Sequence, residues 1–218
     1  MNNLLITGAG CSGTGYISRL LTEWGYPCGH EAVYNPRAVI FGNPTWPSSH
    51  YLKPPHPDLV ADASWLPTFN LAGVRGPIAL QLRDPLQVAL SYLHLGFYNW
   101  DDTRHGRYRA VVAAHCPQIF AASTEHERIL RHIYFAYTSS ISHAEMAYTV
   151  EGLDIHIARS LVEMMDLEPS DDPLPVISHT TNTHRKTADS PADIIRFRTL
   201  PIWNDLYALY RQWYEVPY

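Results

Sequence analysis

Apolar positions along this chain follow two alternating rhythms. The run Leu4-Leu5-Ile6-Thr7 is short, continuous and β-prone, which suits a strand covered on both faces. Ile17, Leu20, Leu21 and Trp24 then fall at i, i+3, i+4 and i+7, the spacing of one helix face. The same change of period recurs down the chain. It predicts short strands near 4–7, 26–28, 59–62, 78–82 and 147–150, with helices near 15–25, 85–95, 124–147, 154–165 and 200–214. The last helix is well marked, with Leu206, Leu209, Tyr210 and Trp213 on one side. Strands separated by helices predict an α/β fold with a central, mostly parallel sheet flanked by helices. No internal repeat and no linker divides residues 1–218, so a single domain is expected.

Composition narrows the class of partner. Apolar residues make up 46% and charged residues 17%, a globular balance, and no apolar run approaches the ~20 residues of a membrane span. The N-terminus lacks a basic region and a cleavage site, so no signal peptide is expected. Cys11, Cys28 and Cys116 form neither a CxxC pair nor an even framework, which suits reduced thiols in a cytoplasmic protein. A net charge of −5 argues against general binding to nucleic acid or anionic membrane. An anionic ligand would therefore be held by local donors. Arginine dominates these, since the only lysines are Lys53 and Lys186.

In an open parallel sheet, ligands sit beyond the carboxyl ends of the strands. The first predicted strand runs into Gly8, Gly10, Gly13 and Gly15, and a helix opens at once. Strand, glycine turn and helix N-terminus in that order make an anion cradle. Its backbone N–H groups face the ligand, and the helix dipole favours negative charge. Gly8 and Gly13 have the GxxxxG spacing of a nucleotide triphosphatase loop, but Thr14 and Gly15 stand where that loop needs Lys and Ser/Thr. A cysteine-dependent phosphatase would need arginine six positions after Cys11; Ile17 occupies that place.

The fourth predicted strand delivers a second loaded turn. Ile78–Leu82 leads to Arg83, then Asp84 as helix N-cap and Pro85 at the first helical position. Ser91 follows about two turns into that helix, roughly 9 Å along its axis. Together, GAGCSGTGY (8–16) and LRDPLQVALS (82–91) resemble the sulfotransferases that use 3′-phosphoadenosine 5′-phosphosulfate (PAPS). The likeness extends to Gly29-His30-Glu31, to Asp62-Ala63-Ser64-Trp65 and to Asn182-Thr183-His184-Arg185-Lys186, in family order.

The resemblance implies a P-loop nucleotide-kinase-like sulfotransferase fold and transfer of a sulfuryl group to a hydroxyl acceptor, sugar or phenol-like, with release of 3′,5′-ADP. It assigns Gly10, Cys11, Ser12, Gly13, Thr14 and Gly15 to the 5′-phosphosulfate, and Arg83 with Ser91 to the 3′-phosphate. Arg185 and Lys186 would lie on a basic loop closing over the cofactor. Glu31 is implied as general base. His30 is the alternative, with a reference pKa of about 6.5. Asp62 and Ser64 would lie near the acceptor, although Asp62 equally suits a helix cap before Trp65. One departure stands out. The family carries Lys or Arg just before Ser-Gly-Thr, and here that residue is Cys11. Three accounts are open: Arg185, Lys186, Lys53 or Arg19 replaces the missing charge, backbone N–H groups carry the load, or the protein binds the nucleotide and turns over poorly.

Other features carry less. The HEAVY segment at 30–34 has Tyr34 where HExxH needs its second histidine, and His179 and His184 lack a third ligand, so no metal is expected. The proline-rich stretch 42–58 reads as a long loop or a flap over substrate. Arg104, Arg107 and Arg109 read as a solvated face. Trp46, Trp65, Tyr98 and Trp100 are candidates for an aromatic acceptor wall, and Tyr148 and Glu151 read as strand-end structure. The alternatives are a P-loop-type phosphoryl-transfer enzyme and a non-catalytic nucleotide-binding protein on the sulfotransferase fold.

Overall fold

The computed structural model describes residues 3–33, 58–99, 105–177 and 190–214. β1 (Leu4–Thr7), β2 (Cys28–His30), β3 (Ala61–Ala63), β4 (Ile78–Leu82) and β5 (Met146–Thr149) form one sheet, in spatial order β2-β3-β1-β4-β5. Every pairing is parallel; Leu5 stands opposite Asp62 of β3 and Ile78 of β4. The sheet is covered by α1 (Thr14–Glu23), α2 (Pro85–Leu95), α3 (Gly106–His115), α4 (Pro117–Phe120), α5 (Glu125–Ile141), α6 (Ile155–Glu163), α7 (Pro191–Thr199) and α8 (Pro201–Tyr214).

Alternation within the strands splits the core in two. Leu4, Ile6, Ala79 and Tyr148 pack against Ile17, Leu20 and Leu21 of α1 and Ile157, Leu161 and Val162 of α6. Leu5, Ile78, Leu80 and Leu82 pack on the other face against Val88 and Leu90 of α2, Ile129 and Ile133 of α5, and Leu206 of α8. All of these side chains are buried, and each fully buried Leu or Ile is worth roughly 1.5–3 kcal/mol relative to exposure. β1 and β4 thus read as continuous apolar runs because both of their faces are covered.

Helix starts follow their local chemistry. Asp84 accepts from Leu86 N (2.7 Å) and Gln87 N (3.3 Å) with Pro85 at the first position, Asp154 accepts from His156 N and Ile157 N, and Thr124 accepts from Glu127 N. α2 ends at Gly96, whose φ of 62° supplies the left-handed cap. α1 differs: its cap is Gly13, with no side chain to occupy the first-turn N–H groups.

The helix expected over 124–147 stops at Ile141. Residues beyond it keep helix-friendly side chains, but Glu145 N bonds Ile78 O and Met146–Thr149 join the ladder of β4, so strand pairing overrides propensity. α3, α4 and α7 were not anticipated. Arg109 corrects the reading of a solvated face. It is 5% exposed, and Nη1 donates to Phe97 O (2.8 Å) and Asn99 O (2.9 Å). Among the described residues no helix is long and apolar enough to cross a membrane.

Candidate functional site

β1 and β4 are neighbours whose onward connections leave toward opposite edges of the sheet, β1 to β2 and β4 to β5. Such a divergence opens a crevice at the strands' carboxyl ends. The glycine loop after β1 and Arg83 after β4 meet there: Arg83 Nη1 donates to Cys11 O at 2.9 Å.

The loop is fixed by the protein beneath it. Ser12 N closes a turn onto Ala9 O (3.1 Å), Gln81 Nε2 donates to Ser12 O (2.8 Å), and Tyr148 OH donates to Gln81 Oε1 (2.7 Å). Cys11 and Gly13 take left-handed conformations at φ 64° and 96°. Gly8 and Gly10 serve packing rather than ligand approach. A Cβ on Gly8 would meet Gln81 O at 2.2 Å, and one on Gly10 the Tyr92 hydroxyl at 2.3 Å. Tyr148, read from sequence as strand-end structure, therefore braces the loop through Gln81.

Arg83 is equally well held. Its N–H donates to Tyr137 OH (3.1 Å), Tyr137 OH donates back to Arg83 O (3.0 Å), and Asp84 N donates to Glu151 Oε1 (3.0 Å). Tyr210 OH of α8 completes the bracket on Glu151 Oε2 (3.2 Å). Among the described residues no carboxylate pairs with the half-buried Arg83 guanidinium. A rigidly positioned, unneutralised guanidinium beside an uncapped helix N-terminus suits an oxyanion. The buried Ser12 Oγ, which has no hydrogen-bond partner among the described residues, adds a polar group to the same loop. Ser91 lies on α2, and its hydroxyl donates to Gln87 O (2.8 Å), a bond it would have to give up to donate to a ligand.

His30 ends β2. One side of its imidazole is open to solvent, Nε2 shares a hydrogen bond with Thr14 Oγ1 (3.2 Å), and partial burial lowers its pKa against the opposing charge of Asp62. Glu31 follows at φ 52°. Burial pushes its carboxyl up to about 7; the hydrogen bond from Trp65 lowers it, and the charge of Asp62 raises it. Asp62 is fully buried, and its carboxylate accepts from Ala32 N (3.0 Å) and Val33 N (3.2 Å), fastening the turn after β2. The short 3₁₀ turn Leu66–Phe69 has Trp65 at its cap position, and Ser64 Oγ, one residue earlier, accepts from Leu66 N (3.3 Å).

Beside the loop is a pocket of about 170 Å³ lined by Gly10, Cys11, Trp65, Tyr92, Leu95, Phe97, His105 and Tyr108. Trp65 and Tyr108 stack at 5.8 Å between centroids, and both also interact with Glu31. Of the aromatic wall expected from sequence, Trp65 is in place. Tyr98 instead belongs to the core, 1% exposed and hydrogen-bonded to His132 Nδ1 (3.0 Å), while Trp46 and Trp100 lie outside the described residues. Tyr92, Phe97, His105 and Tyr108 were not anticipated. Gln81 was, in principle, detectable as the one polar residue in the run IALQL.

Burial raises the Cys11 thiol to about 12, against the opposing effect of Arg83, so it stays protonated at neutral pH. All three cysteines are free. Of the four candidates to replace the missing loop charge, Lys53, Arg185 and Lys186 lie outside the described residues, as does most of the 42–58 loop. Arg19 is directed along α1 to Glu23, at 2.5 Å. Among the described residues no group of three His, Cys, Asp or Glu is placed to hold a metal ion. No protein-family model, curated protein or solved structure matches the chain.

Proposed function

We propose that the chain is a PAPS-dependent sulfotransferase acting on a hydroxyl acceptor, with the P-loop nucleotide-kinase-like sulfotransferase fold. The single observation that carries this is the Arg83 guanidinium, unpaired with any described carboxylate, seated on the carbonyl of Cys11 in the glycine loop. The donor set fits the cofactor. Gly10, Cys11, Ser12, Gly13, Thr14 and Gly15 would surround its 5′ end, with the uncapped N–H groups of α1 directed at negative charge. Arg83 and Ser91 would take the 3′-phosphate. When bound, PAPS supplies the sulfuryl group and a phosphate leaving group.

The remaining chemistry belongs to the chain. Glu31 removes the acceptor proton; a carboxyl titrating at about 7 is matched to that task near neutrality. Trp65 and the turn held by Asp62 keep Glu31 in position. Asp62 thereby acts through backbone geometry, and Ser64 by shaping the turn that carries Trp65. With no side chain capping them, the first-turn N–H groups of α1 are the donors at the 5′ end. Such donors stabilise charge that develops on transfer.

The test is a thermal melt. At 100 times Kd, 3′,5′-ADP without metal stabilises the protein by ~2.7 kcal/mol, whereas ATP with Mg²⁺ gives less. Arg83→Ala abolishes most of the 3′,5′-ADP shift. A wild-type protein indifferent to 3′,5′-ADP refutes the assignment, and a larger shift with ATP and Mg²⁺ would favour a phosphoryl-transfer enzyme. A full 3′,5′-ADP shift with no sulfated product across sugars and phenols would leave a binding protein.

A further inference from the structure

The pocket beside the loop has a chemistry of its own that narrows the acceptor. We infer that it binds a single-ring aryl alcohol or phenol in preference to a sugar, with the ring against the cluster of Trp65, Phe97 and Tyr108 and the hydroxyl toward Gly10 and Cys11. This rests on the sulfotransferase assignment only for what happens to the hydroxyl; binding follows from the pocket alone.

Size is the first argument. The pocket measures about 170 Å³, and an apolar cavity of roughly 150 Å³ is enough to hold benzene. One substituted ring fills it; four fused rings do not.

Lining is the second. Trp65 and Tyr108 lie stacked at 29° between planes, and Phe97 meets Trp65 edge-on at 80° and Tyr92 edge-on at 80°. Walls presenting both faces and edges match the quadrupole of an aromatic guest, which prefers offset or T-shaped neighbours. A hexose would bury several hydroxyls, each needing a partner. The polar side-chain groups on the described lining are those of Cys11, Trp65, Tyr92, His105 and Tyr108. Of these, the Tyr92 hydroxyl is fully buried against Gly10 and has no hydrogen-bond partner among the described residues. The rest of the described lining is aromatic or aliphatic, which favours a guest with one hydroxyl over a guest with several.

Position is the third. Gly10 and Cys11 belong both to the pocket and to the loop that meets Arg83. Trp65, one wall, donates its indole N–H to Glu31. A ring seated here holds its hydroxyl between the anion cradle and the residue set to take its proton.

Isothermal titration of the full chain, with and without 3′,5′-ADP, tests the inference using p-cresol, glucose and 1-pyrenol. The expected result is p-cresol binding at least tenfold tighter than either comparison compound. Tyr108→Leu, which removes one stacked wall, and Leu95→Trp, which fills the space, each weaken p-cresol at least tenfold. The 3′,5′-ADP melt shift persists in both variants and reports an intact fold. Equal binding of glucose or 1-pyrenol, no binding of p-cresol, or p-cresol binding unaffected by both variants overturns the inference. The two assignments fail separately. A 3′,5′-ADP shift without p-cresol binding removes only the pocket inference, whereas p-cresol binding without a 3′,5′-ADP shift removes only the nucleotide reading.

Discussion

At Glu31 a carboxyl group sits under an indole, on a residue whose backbone turns through φ 52° and next to a buried aspartate. Burial dominates those influences and lifts its titration to about 7. A base of that pKa is half-ionised at neutral pH, so kcat/KM is expected to rise with pH through about 7 and level off above it. Glu31→Gln keeps an oxygen for the Trp65 N–H and removes the proton acceptor. Turnover should fall ~10²–10⁴-fold, the 3′,5′-ADP melt shift should survive, and the inflection near 7 should vanish. Near-normal turnover in that variant would return Glu31 to a structural role and leave His30, bonded to Thr14 in the loop, as the base to test. Cys11 offers no thiolate nucleophile at neutral pH, because burial keeps its thiol protonated.

The strand-loop-helix element after β1 shows how far local pattern reaches. Leu4–Thr7, the four glycines and the Ile17–Trp24 face were legible because strand, turn and helix signals are all local, and the Arg83-Asp84-Pro85 turn was legible for the same reason. What the glycines do was not. Gly13 needs its positive φ, but Gly8 and Gly10 are small to admit Gln81 O and the Tyr92 hydroxyl, contacts made by residues 73 and 82 positions away. Tyr108 and the preceding cap residue His105 were hidden similarly, because the α3 sequence GRYRAVVAAH has no clean apolar face to announce the helix. The contact at Gly10 gives a sharp expectation. Gly10→Ala drives a methyl against a buried tyrosine and should cost ~1–3 kcal/mol of stability by denaturant unfolding. Tyr92→Phe deletes the atom at 2.3 Å and leaves ring carbon Cζ at 3.1 Å. In the Gly10→Ala background it should therefore recover about half of the loss or more, a coupling readable in a double-mutant cycle. Simple additivity would show that the loop and α2 do not meet as described.

Across the whole molecule, topology joins what the chain separates: β1 and β4 bring residues 8–16 and 83 to one crevice, while α2 and α5 meet behind it in an aromatic core around His132. That histidine is fully buried among Trp65, Phe69, Tyr92, Phe97 and Tyr98, and burial lowers its pKa to about 3. The unfolded chain takes up this proton near 6.5 and the folded chain only near 3, so its contribution to stability is lost as pH falls between those values. Glu31 has the opposite sign. Its folded pKa lies above its unfolded value of 4.5, so its contribution is full below 4.5 and lost as pH rises toward 7. His30 and His115, both lowered by burial, act with His132, and Glu125, raised by burial, acts with Glu31. Between 4.5 and 6.5 the two signs offset each other; below 4.5 only the histidine effect remains. Stability measured by urea unfolding should therefore be nearly flat over the upper window. Below pH 4.5 His132 alone should remove about 1.4 kcal/mol per pH unit. Tyr98→Phe with His132→Phe replaces both hydrogen-bonding partners by rings of similar shape, a change that is often near neutral. In that double variant the acid slope should flatten, and the balance between pH 4.5 and 7 should tilt toward falling stability as pH rises, because Glu31 and Glu125 are then opposed by His30 and His115 without His132. An acid slope unchanged by the pair of substitutions would mean that His132 takes up its proton in the folded chain as readily as in the unfolded one.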